Sequence, residues 1–116
     1  MKFQPTPIAD LFVAESEAFK DERGVFVRLF CEEELSAVIG QRSIVQINHS
    51  FTGVIGAVRG LHFQAAPYAE MKLVRCLKGR VWDVAVDLRS QSPSYKRWFA
   101  QELSPQNARM MVIPEG

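Results

Sequence analysis

Read for the spacing of its apolar residues, the chain divides into short segments. Most carry the two-residue repeat of a strand, and one carries the 3.6-residue repeat of a helix. Residues 11–14 and 25–30 are apolar, β-rich runs. Between them Lys20-Asp21-Glu22-Arg23-Gly24 forms a charged turn ending in glycine. The spacing predicts one helix, over Glu32–Ile39. Its first turn is acidic, which suits the positive end of the helix dipole. Leu35, Val38 and Ile39 share helical spacing, and Gly40 supplies the stop.

Past Gly40 the helical signal ends. Strands are predicted over 43–50 and over 54–64, the second interrupted by Gly56 and Gly60. Two more, 71–77 and 80–88, are predicted to form a hairpin turning at Lys78-Gly79. The 80–88 run alternates well: Trp82, Val84, Val86 and Leu88 share one face, and Asp83, Ala85 and Asp87 share the other. Pro93 makes 90–94 a loop, and Ser104-Pro105-Gln106-Asn107 separates the last two strands, Trp98–Leu103 and Arg109–Ile113. About seven short strands with regular turns predict an all-β antiparallel sandwich or barrel with one short helix, not an alternating α/β fold. The closing Pro114-Glu115-Gly116 is a turn beside a strong core strand. The expectation is either an incomplete C-terminal end or first strands that pack into a partner subunit.

Composition narrows this picture without changing it. A length of 116 residues predicts a single domain over 1–116 with a modest core. A formal net charge of +1 gives no reason to expect a nucleic-acid or membrane partner, so any basic site must be local. The two cysteines, Cys31 and Cys76, make neither a disulfide scaffold nor a C-x-x-C pair, and read as buried thiols in a reducing compartment. The N-terminus has no long apolar h-region and no run approaches the length of a membrane span, so a cytoplasmic protein is expected. His49 and His62 are the only histidines, which disfavours a metal site built on several of them. No dinucleotide or P-loop glycine motif is present.

Several residues could carry chemistry. His62 lies in an otherwise apolar predicted strand. It is either a half-buried histidine satisfied by a backbone carbonyl or a general base titrating near neutrality. Lys72 shares a strand face with Val74 and Cys76, either snorkelling at an edge or held to stabilise an oxyanion. Asp83 has Lys72 as its natural partner across the predicted hairpin if its face is interior; if its face is outside, it is merely solvated. Arg23 and Arg59 each set a guanidinium beside a glycine, either to bind phosphate or as ordinary surface residues. Gln46 and Asn48 alternate with Ile47, so their amides share one face, toward a ligand or toward water.

Taken together these residues resemble a known family. The runs Asp21-Glu22-Arg23-Gly24, Gln46-Ile47-Asn48-His49-Ser50, Val58-Arg59-Gly60-Leu61-His62-Phe63-Gln64, Lys72-Leu73-Val74-Arg75-Cys76-Leu77-Lys78-Gly79, Asp83-Val84-Ala85-Val86-Asp87-Leu88-Arg89 and Val112-Ile113-Pro114-Glu115-Gly116 resemble those of the dTDP-4-dehydrorhamnose 3,5-epimerase family, in its order and near its spacing. The resemblance implies a cupin-type jelly roll acting as a homodimer on a dTDP-linked 4-keto-6-deoxyhexose, with no metal and no cofactor. It implies that His62 is the base and that Lys72 stabilises the enolate oxygen. Arg23 and Arg59 would hold the diphosphate, with Arg23 reaching the neighbouring subunit's site. Gln46 and Asn48 would contact the nucleotide, and Asp83 would support Lys72. Arg28 and Ile47 depart from the family, which often carries Glu and Asp there. The family also continues past the Pro-Glu-Gly turn to a tyrosine acid, to the aspartate that pairs with the catalytic histidine, and to closing strands. The expectation is thus an incomplete member that does not perform full epimerisation alone. The alternative is a non-catalytic sugar-nucleotide-binding module on the same fold.

Overall fold

The computed structural model describes residues 1–116. Its elements in chain order are β1 (Lys2–Pro5), β2 (Phe12–Glu15), β3 (Ala18–Asp21), β4 (Gly24–Val27), α1 (Glu32–Ile39), β5 (Lys72–Arg75), β6 (Val81–Val86), β7 (Trp98–Leu103) and β8 (Arg109–Ile113). Every strand pair is antiparallel. The central sheet has the order β1-β2-β8-β5, and β3-β4 and β6-β7 form separate two-stranded ladders.

Strand β8 is the hub, because it is apolar on both faces and both faces are covered. Met110 and Val112 point to one side, where they pack with Ala14 of β2 and with Leu35 and Ile39 of α1. Met111 points to the other side and joins Ile8, Leu11, Cys76, Ala85 and Leu103. The sheet therefore lies between α1 and the β6-β7 ladder. The same parity assigns the neighbours. Lys72 and Val74 stand opposite Ile113 and Met111 and face the β6-β7 side, whereas Leu73 and Arg75 face α1.

Helix α1 forms where the spacing predicts it. Three glutamates occupy its first turn, and Glu34 binds both the N-terminal ammonium and Arg28. Its end is set by Gly40 at φ +63, whose N–H donates to Ser36 O at 3.0 Å. The charged turn at 20–24 also forms. It closes a two-residue hairpin loop, with Asp21 opposite Gly24.

Three expectations fail. First, 43–50 and 54–64 are not strands; every residue from 40 to 69 is exposed and none belongs to an element. Val45, Ile47 and Val58 stand 91%, 87% and 90% exposed. Their β-forming side chains meet no neighbouring strand, and a strand is completed by its ladder and its covered face, not by propensity. Second, Lys78-Gly79 does not turn a hairpin, because β5 pairs with β8 and β6 pairs with β7. Third, the run predicted at 11–14 does form a strand, β2, but the charged turn joins β4 to a further strand that was not foreseen, β3. Edge strand β1 was not foreseen, since Lys-Phe-Gln-Pro has little alternation and ends in proline.

Candidate active site

The inner faces of β5 and β6 turn two of the expected residues toward the same layer. Asp83 lies on the same face of β6 as the buried Ala85 and Asp87, whereas Trp82 on the opposite face is 67% exposed. The open question about this strand is thus decided: the carboxylates point inward. Lys72 faces the same layer from β5. The expected Lys72–Asp83 ion pair is absent, because the hairpin that would have apposed them does not form. Lys72 Nζ instead lies 3.6 Å from Glu70 Oε1.

Asp83 is consequently the unusual group. Its Oδ2 is buried with no hydrogen-bond partner, and burial pushes its carboxyl above the ordinary carboxylate range against a weaker lowering by the Val84 N–H. Gln101 of β7 stands directly opposite it, but the Gln101 amide donates to Glu102 O at 2.9 Å. An inward carboxyl with spare acceptor capacity can hold and orient a ligand hydroxyl or a cation brought to it.

The remaining expected residues sit on exposed backbone. Arg23 is at the tip of the β3-β4 hairpin, donating Nε and Nη2 to Asp21 Oδ2 at 3.0 and 2.6 Å. That contact lowers the Asp21 carboxyl pKa and shapes the turn. Arg59 Nη2 donates to Phe51 O at 3.4 Å. Gln46, Asn48 and His62 are exposed. The buried-strand reading of His62 is therefore corrected: it stands on open chain. Gly60 is at φ +94, and a Cβ there would approach His62 Nδ1 to 2.8 Å, so the ring lies against a position only glycine can occupy. No hydrogen bond or ion pair joins any two of Arg23, Gln46, Asn48, Arg59, His62, Lys72 and Asp83.

Some inward polar groups escaped the sequence reading. Arg109 Nε donates to Glu15 Oε2 at 3.1 Å on the same side of the sheet as Lys72. Their parity with Met111 and Val13 was the available signal. The Asp87 carboxylate, wholly buried, accepts from Arg89, Ser92 and Ser94. Arg89 continues to Asp10 at 2.9 Å and to Ala9 O at 2.7 Å. This knot ties the 87–94 loop to the β1-β2 connection and stands outside the expected residue set. No three His, Cys, Asp or Glu side chains are gathered as a metal site, and no helix is long and apolar enough to cross a membrane.

Comparison with known proteins gives this arrangement its class. Residues 5–116 match the dTDP-4-dehydrorhamnose 3,5-epimerase family, and the chain belongs to it. The fold is that family's cupin-type jelly roll. The chain is 45% identical over 112 residues to the dTDP-4-dehydrorhamnose 3,5-epimerase of Shigella flexneri, covering 96% of this chain and 61% of that protein. It superposes with a TM-score of 0.93 and 37% identity on the dTDP-4-dehydrorhamnose 3,5-epimerase of Bacillus anthracis, solved with TDP and pyrophosphate bound, over 99% of this chain and 66% of that one. A Legionella pneumophila dTDP-6-deoxy-D-glucose-3,5-epimerase in complex with dTDP-4-keto-L-rhamnose matches with a TM-score of 0.86 and 37% identity, over 99% of this chain and 61% of that one. The chain thus spans 61% of the length of the curated relative from Shigella flexneri.

Proposed function

We propose that the chain serves the epimerisation of a dTDP-linked 4-keto-6-deoxyhexose, inverting C3, C5 or both in deoxysugar synthesis for cell-surface polysaccharide. The supporting observation is the family match across residues 5–116, a span that contains His62, Lys72, Asp83, Arg23, Arg59, Gln46 and Asn48. Both C3 and C5 flank the C4 ketone, so loss of either proton leaves an enolate. His62 takes the proton, and inversion is completed when a proton is returned to the same carbon from the opposite face. The Lys72 ammonium holds the negative oxygen, and Asp83 faces the same layer as Lys72. Arg23 and Arg59 bind the diphosphate, and Gln46 and Asn48 bind the nucleotide. Nothing in this sequence of steps changes oxidation state, so no cofactor is invoked. Residues 1–116 act as one domain in the cytoplasm. The partner is a second copy of the chain, which accounts for a β3-β4 hairpin that exposes Phe19, Val25 and Phe26 and carries Arg23 at its tip.

Proton exchange tests this reading, because it needs only the base and the oxyanion partner. In heavy water, the 4-keto sugar nucleotide is expected to gain deuterium at C3 or C5, and His62→Ala is expected to abolish the gain. Binding without exchange at either carbon would overturn the catalytic reading in favour of a sugar-nucleotide-binding module.

A further inference from the structure

Four of the seven candidate site residues, Gln46, Asn48, Arg59 and His62, lie on one stretch of chain between α1 and β5. Within residues 43–69 every hydrogen bond is local: Ala57 N–H to Val54 O at 3.4 Å, Tyr68 N–H to Ala65 O at 2.9 Å, and Arg59 to Phe51 O. The stretch rejoins the core at Met71, which packs against the α1 side of the sheet. What holds its other end is therefore the last distant tie before residue 43.

That tie is Arg42. Its Nε and Nη2 donate in parallel to Glu115 Oε1 and Oε2 at 2.9 and 3.1 Å, a bidentate fork with a fixed orientation. Its Nη1 donates at 3.0 Å to Ile39 O, which binds the guanidinium to the end of α1 as well. Glu115 itself sits on a secured turn. Leu88 N–H donates to Gly116 O at 2.9 Å, and a Cβ on Gly116 would approach Arg89 Cγ to 2.7 Å. The guanidinium thus joins the end of the helix to the end of the hub strand β8, at the point where the site-bearing stretch departs.

We propose that Arg42 and Glu115 are a positioning pair that sets where the 43–64 stretch leaves the core, and so where Gln46, Asn48, Arg59 and His62 stand relative to Lys72 and Asp83. The inference rests on the reading of those residues as the site. An exposed ion pair contributes little to global stability, so its effect is separable from unfolding.

The test compares Arg42→Met, Glu115→Gln and the charge-swapped double variant R42E/E115R in the full chain. Backbone amide resonances report position, and deuterium incorporation into the 4-keto sugar nucleotide reports the site. Each single variant is expected to shift amide resonances throughout 43–64 while leaving those of β2, β5 and β8 unmoved. Each is also expected to lower kcat/KM for exchange by about two- to fivefold, the scale of one exposed ion pair. The swapped pair is expected to restore both. Shifts confined to the immediate neighbours of residues 42 and 115, or a swap that recovers neither readout, would overturn the proposal. A wild-type chain that exchanges no protons counts against the catalytic reading, and the resonance shifts still decide the role of the pair.

Discussion

Asp83 and Asp87 share one face of β6 and meet opposite surroundings. Asp87 is wholly buried but fully served: the Arg89 guanidinium holds its carboxyl well below the usual carboxylate range, with the Ser92 and Ser94 hydroxyls adding to that effect at 2.5 and 2.6 Å. Asp87→Asn leaves Arg89 without its charge partner. It is expected to destabilise the fold by about 2–4 kcal/mol in urea unfolding. Asp83 is only half-buried but unserved, and burial raises its carboxyl. The folded state therefore prefers the neutral acid. Its contribution to stability is full below the ordinary value of 3.8 and is lost as pH rises through the raised folded value. Asp83→Asn is accordingly expected to raise the urea midpoint at pH 7, with a gain in unfolding free energy of at most about 1 kcal/mol, because solvent screens the exposed part of the group. An unchanged or lower midpoint would show that Asp83 finds a partner in solution.

At the scale of elements, side-chain spacing decides where local structure begins, and covered surface decides whether it persists. Helix α1 satisfies both. Its acidic first turn and Gly40 stop are local, and Leu35 and Ile39 seat it on Ala14, Met110 and Val112. Leu35 is 1% exposed, and Leu35→Ala is expected to cost about 3 kcal/mol of unfolding free energy and to loosen the helix from the sheet, read by thermal unfolding. Strands β6, β7 and β8 were legible because alternation or an unbroken apolar run matched their environment. The 43–50 and 54–64 runs have comparable side chains and form no strand. The difference lies in what faces them. Met111 in β8 is 0% exposed between β2 and β5, whereas Ile47 is 87% exposed with no ladder beside it.

For the whole molecule, the carboxylates held by arginines set the pH response. Asp87 is lowered chiefly by Arg89, and Glu115 is lowered from 4.5 chiefly by Arg42. Lowered carboxylates contribute stability that is present above their unfolded values and is lost as pH falls toward the folded ones. Stability is thus expected to be flat or to fall slightly above about pH 5 and to drop steeply below about pH 4. Urea midpoints across pH 2–8 check the shape. A loss that begins near pH 6 would overturn this account.

The sequence by itself determined the β-rich class, the helix at Glu32–Ile39, the charged hairpin tip at Arg23, which residues of β6 share a face and the family to which the motifs belong. These are properties of neighbours along the chain, or of residue identities in a fixed order. Only the tertiary structure decided that β5 joins β8 instead of β6, that Lys72 and Asp83 face one layer without pairing, that Asp87 and not Asp83 is the satisfied carboxylate, and that His62 stands on open chain anchored through Arg42. Each of these depends on which distant backbone completes a ladder and which distant side chain replaces water. No local period encodes that choice, because it is made by the packing of both faces of β8 at once.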